Sequence, residues 1–422
     1  MNEGRPGYKG TKIGWIPEEW ETINLFDAIR KIKRGPSLAV NNNKIGIRYL
    51  TSDNVLNIGV IDWTTVKHLD KKPSELNSII ELQDLILNCV NSKAQIGKVA
   101  YVSDIPETTT VGFNNFALQI DQSIFIPKFL SLFLQSKRGS WQIKRVVKPA
   151  INQASFSSKD LKFIYAVRPK LTEQKKIAQI LSTWYTAIQK TEALIKVKQE
   201  QKKGLIQQLL TGKKRFSGFE DEWDVLALEN FLMPTLRPID KPNTPYYALG
   251  IRSHCKGSFR RYVEDPNGIF MDTLYKVKNN DFIVNITFAW EGAVAVIKEA
   301  DEGCLVSHRF PTYTFDENKS LPDFFKQVIL QDYFIYKLGT ISPGGAGRNR
   351  VLSKKDLLKI KLQMPSIEEQ QKIASVLYSS DNNIALLQQQ LNELKLQKKG
   401  LMQQLITGSI RVKVDNRKKV SA

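Results

Sequence analysis

Towards the end of the chain, Ile384, Leu387, Leu391, Leu394, Leu401 and Leu405 fall at alternating steps of three and four, with Lys398 in the same frame. That spacing keeps one stripe of a helix facing a second helix, and so predicts a coiled-coil seam. About 196 residues earlier the same frame holds Ile188, Thr191, Ile195, Lys198, Lys202, Leu205 and Leu209, a more polar seam. The letters repeat with the pattern. QKKGLIQQLLTG at 201–212 returns as QKKGLMQQLITG at 397–408, and the ungapped match of 169–215 with 365–411 is about 40 per cent identical. Two copies separated by a long unlike segment do not make a solenoid, which needs several stacked neighbours. They predict a duplicated helical scaffold carrying two different modules.

Within each copy, Ser182 and Thr183, or Ser379, Ser380 and Asp381, predict a break between a short helix and a longer one of about 25 residues. Such a rod spans roughly 37 Å. Ser366 followed by Glu369 predicts a capping box, and Thr172 is the expected cap of the first copy. Gly212 and Gly408 are expected to stop the helices in the left-handed conformation. Gly204 and Gly400 lie inside a helix, where glycine costs about 1 kcal/mol relative to alanine. Their recurrence predicts close approach by another helix.

The segments before each helical copy carry short β-branched runs bounded by Asp, Asn and Gly, which are strand signals. DLILN at 84–88 and IGKVAYV at 96–102 are echoed by DFIVN at 281–285 and EGAVAVI at 291–297. Together with RYLTSDNV at 48–55 and YYALGI at 246–251 they predict a mixed sheet in each module, followed by helix near 127–135 and 322–337. The modules open alike, GWIPEEWE at 14–21 and GFEDEWD at 218–224, with Trp15, Trp20 and Trp223 as expected packing anchors. They close alike, SKDLKFI and SKKDLLKI. The expected division is 1–168 and 213–364 for the modules, 169–212 and 365–412 for the helical regions, and a basic tail at 413–422. Because the scaffold is pseudo-symmetric, the two chain ends are expected on the same side.

Charge changes the picture. Among 422 residues, 62 Lys and Arg against 42 Asp and Glu leave a net charge of +20, which favours a polyanionic partner such as nucleic acid. Cys89, Cys255 and Cys304 are too few and too widely spaced for a disulfide framework or a CxxC metal site, in keeping with a reducing cytoplasm. The opening MNEGRPGYKG lacks a signal-peptide core, and no run is long enough to span a bilayer, so a cytoplasmic location is expected. There is no GxxxxGK[ST], HExxH, GxSxG or Asn-Pro-Pro-aromatic string, and His68, His254 and His308 stand alone. GGAGRN at 344–349 lacks the lysine of a nucleotide loop. A nuclease would need clustered carboxylates that the sequence does not offer.

TEQKKIAQILS, KKGLIQQLLTG, the GWIPEEWE opening and the SKxDL endings together make the whole chain resemble the specificity (S) subunits of type I restriction-modification enzymes. The resemblance implies an α+β chain of two similar mixed α/β target recognition domains, separated by two long helices packed as a pseudo-two-fold antiparallel coiled coil. It implies double-stranded DNA with a split target, one domain reading each half. The implied partners are two methyltransferase (M) subunits, which methylate a flipped adenine using S-adenosylmethionine, and restriction (R) subunits, which use ATP and magnesium. None of these cofactors, nor any catalytic residue, is expected on this chain. A rod close to one turn of B-DNA suits two readers in successive major grooves. The competing reading is a non-catalytic protein-binding adaptor with non-specific DNA affinity.

Arg and Asn bond guanine and adenine edges in pairs, so Arg348, Asn349 and Arg350 are candidates in the second module. Lys144, Arg145, Lys148, Asn152 and Gln153 hold the corresponding ground in the first. Asn91, Ser92, Lys93 and Gln95 in one loop, and Thr287, Phe288 and Trp290 in the other, are further candidates. Each basic loop can equally be a solvated surface that touches only phosphates.

Overall fold

The computed structural model describes residues 6–344 and 350–413. They form two compact units, one assembled from two separate stretches, within 1–192 and 390–422, and the other from the single stretch 193–389.

In the first unit the DLILN run forms the strand Leu85–Asn88, paired antiparallel with Val99–Tyr101 on one side and Asn115–Ile120 on the other. Ile29–Arg34 completes this four-stranded sheet. The expectation that RYL belongs to the same sheet is not met. Ile47–Leu50 lies instead in a separate three-stranded sheet, parallel to Thr109–Val111 and antiparallel to Lys67–Leu69. The second unit divides in the same way. Phe282–Val284 pairs with Val294–Val296 in one sheet, whereas Tyr246–Ile251 sits in a five-stranded sheet beside Ser258–Val263. Local alternation predicts strands but carries nothing about which strands pair across loops of this length.

Helices α1 (Pro127–Gln135) and α2 (Lys137–Val146) follow the first four-stranded sheet, and a strand Tyr165–Arg168 leads into α3 (Leu171–Leu209). The second module repeats this with α4 (Pro322–Val328), α5 (Asp332–Thr340) and α6 (Lys354–Leu358), then a strand Lys361–Met364 and α7 (Ile367–Thr407). The helical region expected at 322–337 is thus two helices, joined at 329–331.

Helices α3 and α7 are continuous over 39 and 41 residues, roughly 58 and 61 Å at 1.5 Å per residue. The expected breaks do not occur. Ser182, Thr183 and Ser380 turn their hydroxyls back onto the carbonyls of Ala178, Gln179 and Val376 at 2.7, 3.1 and 3.1 Å, which satisfies them without interrupting the helix. Thr172 is not the cap either. α3 begins one residue earlier, and the Lys170 carbonyl accepts from the amides of Glu173 and Gln174. Only half of the predicted capping box forms: Ser366 Oγ accepts from the Glu369 amide at 3.4 Å, while the Glu369 carboxylate is committed elsewhere.

Gly212 and Gly408 end the helices as expected, at φ +67° and +73°. Beyond them the amides of Lys214 and Ile410 return to the carbonyls of Gln208 and Gln404. Gly204 and Gly400 do not sit against another helix: a Cβ on either would meet nothing within 4 Å.

Every predicted seam position is buried or half-buried, with Ile188, Ile195, Leu209, Leu391 and Leu405 fully so. The pairing is antiparallel. In the first unit Glu192 meets Lys395 at 2.7 Å, while Tyr185, one turn or more earlier, meets Lys398 further along. In the second unit Lys202 meets Asp381 at 2.6 Å and Arg215 meets Glu369.

Each module is closed by the end of the other repeat's helix. Leu405 and Ile406 of α7 belong to the first core, among Trp20, Phe129 and Leu181. Leu209 and Leu210 of α3 belong to the second, among Phe231, Phe325 and Leu377. A polar clasp locks each junction. Arg411 grips the buried Glu173 through Nε and Nη2 at 2.7 and 2.9 Å, Glu173 accepts from Trp20 Nε1 at 3.1 Å, and Glu19 takes the remaining Arg411 nitrogen. Arg215 grips the buried Glu369 at 3.0 and 2.7 Å, and Glu369 accepts from Trp223 Nε1 at 3.0 Å. Thus Trp20 and Trp223 anchor to helices, while Trp15 is exposed and offers its carbonyl to Arg138. Tyr8 donates to the Gly408 carbonyl at 2.8 Å, which joins the described ends within the first unit. Met1 and Ala422 lie outside the described residues.

Candidate nucleic-acid interface

In the first unit a short hairpin rises directly from the end of α2. Its strands Lys148–Pro149 and Ala154–Ser155 are antiparallel, and Ala154 and Ser155 pair in turn with Asn91 and Val90. The Ala150 amide donates to the Gln153 carbonyl at 3.0 Å and closes the tip. The hairpin therefore brings Asn152 and Gln153 to the same edge as Asn91, next to the loop of Ser92, Lys93 and Gln95. Lys93, Lys144, Arg145, Asn152 and Gln153 are all exposed. Arg145 stacks over the Trp141 ring at 4.8 Å. Lys148 is less free than its neighbours: its ammonium meets Asp160 at 3.1 Å. The Ser157 hydroxyl first, and then Lys148, hold the Asp160 carboxyl below the usual range.

The sequence reading missed the residue at the tip. Ile151 is fully exposed at 101%, a β-branched apolar side chain at the tip of a hairpin whose approach from α2 carries Lys144, Arg145 and Lys148. Such a group adds nothing to the core from there, and its chemistry suits contact with a thymine methyl or a base step.

The second unit places its counterpart in the same register. Phe156 donates its amide to the Cys89 carbonyl in the first unit, and Leu352 donates to the Ile286 carbonyl in the second, at 3.1 and 2.9 Å. Asn88 and Asn285, the residues before those carbonyls, close the two echoed strands. The chain at Leu352 thus returns beside the Asn285 loop as the end of the hairpin returns beside Asn88. Arg348 and Asn349 lie outside the described residues. Arg350 is half-buried and stacks its guanidinium over Trp290 at 5.2 Å. Thr287 accepts from Arg309 Nη1 at 3.4 Å, and Phe288 beside it is exposed. Thr287, Trp290 and Arg350 therefore come together, with Arg309 as a further cation.

A second basic feature of this unit escaped the sequence reading. The strand Ser258–Val263 is the outer strand of the five-stranded sheet, and Phe259, Arg260, Arg261 and Tyr262 along it are exposed. Tyr247 on the neighbouring strand packs against Tyr262 at 5.2 Å. The turn between these strands, with His254 and Cys255 at φ +60° and +52°, is pinned to the Trp290 segment by bonds to the Glu291 and Gly292 carbonyls. Adjacent arginines interleaved with aromatics were the available signal, since such a surface offers both charge and stacking faces.

The histidines are not grouped into a site, and among the described residues no three His, Cys, Asp or Glu side chains are placed to hold a metal ion. All three cysteines are unpaired. No helix is long and apolar enough to cross a membrane among the described residues.

Comparison with known proteins agrees with this architecture. Residues 17–199 and 224–396 each match the family described as the type I restriction modification DNA specificity domain. A putative type I restriction enzyme MjaX specificity subunit from Methanocaldococcus jannaschii is 27% identical, over 96% of this chain and 97% of its own length. The MjaVIII specificity subunit of the same organism is 24% identical over 94% of both chains. Among solved structures, an S subunit of a type I restriction-modification system from M. genitalium superposes with a TM-score of 0.57. It is 15% identical and covers 92% of this chain and 96% of its own. The HsdS subunit of Thermoanaerobacter tengcongensis reaches 0.50 at 15% identity, covering 94% and 98%. With two matched domains that together span most of its length and an antiparallel helical pair, the chain belongs to the family of type I restriction-modification specificity subunits.

Proposed function

We propose that this chain reads a split DNA target, one module per half, and that it holds the methyltransferase and restriction subunits without performing a reaction itself. The observation that carries the reading is the equivalence of the two edges in position combined with their difference in chemistry. The first presents Ile151, Asn152 and Gln153 on a hairpin; the second presents Arg350 over Trp290 beside Thr287. Equal placement suits one kind of task, and unlike side chains suit unlike base sequences. Lys93, Lys144 and Arg145 supply phosphate contacts that position without specifying.

On this reading the unbroken helices α3 and α7 set the gap between half-sites. Leu194, Val197 and Leu386 in the second unit, and Leu396 in the first, are exposed on those helices and offer apolar area to two methyltransferase subunits. S-adenosylmethionine, ATP and magnesium then belong to the partners, and the complex acts in the cytoplasm.

The test is to map methylated adenines, or competition binding, for the assembled complex. Replacing Asn152 and Gln153 by alanine should relax base choice in one half only, at about 1–3 kcal/mol per lost paired contact. Arg350→Ala should relax the other half. Equal effects on both halves, or weaker binding with unchanged sequence preference, would leave a protein-binding adaptor as the better description. In the same assay, residues inserted between Ile188 and Leu209 should change the tolerated gap, since each adds about 1.5 Å and a rotation of about 100°. A gap indifferent to insertion would remove the helices from that role.

A further inference from the structure

Two lysines of the first unit are half-buried without a counter-ion among the described residues. Lys398 of α7 sits over the Tyr185 ring at 4.9 Å, and Lys128 of α1 sits over the Tyr101 ring at 4.7 Å. Both line one recess of about 20 Å³, together with both tyrosines, Ser131 and Gln135. Among the described residues neither ammonium meets a carboxylate. Glu192, the acid that bears on Tyr185, is engaged with Lys395, and the Tyr185 hydroxyl accepts from Gln189 at 2.9 Å. Burial holds both ammonium groups below the usual lysine range, and for Lys398 the Lys128 charge adds to it.

The second unit shows how the same scaffold treats the same lysine. Lys202 is the counterpart of Lys398, and Asp381, the counterpart of Tyr185, binds it at 2.6 Å. The counterpart of Lys128 follows from an identical glutamine clamp. Gln174 Oε1 accepts from the Ile126 amide just before α1, and Gln370 Oε1 accepts from the Leu321 amide just before α4, at 2.8 and 2.9 Å. Pro127 therefore matches Pro322, and Lys128 matches Asp323. Where the second unit has one lysine and two aspartates, the first has two lysines and a tyrosine. Both units carry the seam lysine, and the second alone sets a carboxylate against it.

Half-buried like charges without a counter-charge are unfavourable, and the two ring faces offset only part of that cost. We infer that the recess between Lys128, Lys398, Tyr101 and Tyr185 binds a carboxylate supplied from outside the chain. A volume of this size holds about one or two water-sized atoms, so it admits a carboxylate oxygen and excludes a nucleotide.

Thermal unfolding of the full chain in acetate, against chloride at the same ionic strength, tests this. Saturating acetate should raise Tm by roughly 2–4 °C, and Lys398→Gln and Lys128→Gln should each abolish the rise. Tyr185→Asp, which restores the second unit's arrangement, should raise Tm in chloride and remove the acetate response. Equal responses to acetate and chloride, or an acetate response that survives in Lys398→Gln, overturn the proposal. Should the glutamine variants not fold, Tyr185→Asp decides alone: an undiminished acetate response in it overturns the site. The source is read in the complex with methyltransferase subunits. A response that persists there assigns a free small carboxylate; one that disappears on assembly assigns a partner's Asp or Glu side chain. Only this last arm rests on the partner reading above.

Discussion

A chain ending at residue 389 should fail to fold its first unit, although every residue of the first module is still present. The module's core is completed by α7: Leu405 and Ile406 are 2% and 0% exposed among Trp20, Phe129 and Leu181. Removing 390–422 uncovers that apolar surface and also leaves Glu173, 4% exposed, without Arg411. An unpaired buried carboxylate alone costs several kcal/mol, which is comparable to the whole stability of a typical domain. Single changes should grade the effect. Ile406→Ala, and in the second unit Leu210→Ala, should each cost about 2–5 kcal/mol, the usual range for an aliphatic core side chain. Arg411→Ala should cost about 2–3 kcal/mol, below the range for a fully buried pair because its guanidinium is partly in water. Urea unfolding and limited proteolysis of residues 6–192 measure this. Protease resistance unchanged in the shortened chain would show that the module closes by itself.

Lys33→Met should destabilise the first unit by about 3–5 kcal/mol at neutral pH, and the deficit should shrink in acid. Lys33 and Asp84 are 3% and 2% exposed and meet at 3.0 Å, with Glu81 and the Ile79 carbonyl completing the ammonium's shell. Burial pushes the Asp84 carboxyl up, against the Glu81 amide and Lys33, which pull it down. A carboxyl whose folded pKa lies above its unfolded value takes up a proton more readily when folded. Its charging penalty is therefore present above the folded pKa and relieved as pH falls through it. Removing Lys33 deletes a stabilising partner and moves that folded pKa further up, so more of the penalty becomes recoverable in acid. Urea titrations of the variant and the parent at pH 7.5 and pH 5 read the difference. A deficit that is constant or grows toward pH 5 would contradict this account, as would a Lys33→Met, Asp84→Leu double variant no more stable than the single. The second unit solves the same problem with Arg237 on Asp281 at 2.6 Å, so the matching pair there serves as a comparison.

The helical repeat, its seam and its terminal glycines were legible because they depend on local rules, a period of 3.6 and a left-handed residue. Leu391, Leu405, Gly212 and Gly408 behave as the letters predict. Local rules also misled. Ser182, Thr183, Ser379 and Ser380 look like breakers only until their side chains are seen bonding back along an intact helix, or lying harmlessly on it. Of the candidate contact residues, Asn152, Gln153 and Arg350 could be named from side-chain type and nearness to a module's end, and Thr287 from its place in the loop between two strand-like runs. Ile151 was invisible, since a lone isoleucine in sequence is far more often core than tip.

By itself, then, the sequence determined that the chain is built twice, that its seams are helical, and that its surface is basic, because periodicity, identity and charge are properties of the letters in order. Only the tertiary structure decided which strands share a sheet, which helix end closes which module, and where Lys398 lacks the acid that Lys202 has. Those outcomes depend on residues hundreds of positions apart competing for the same buried space, and no local pattern records who wins.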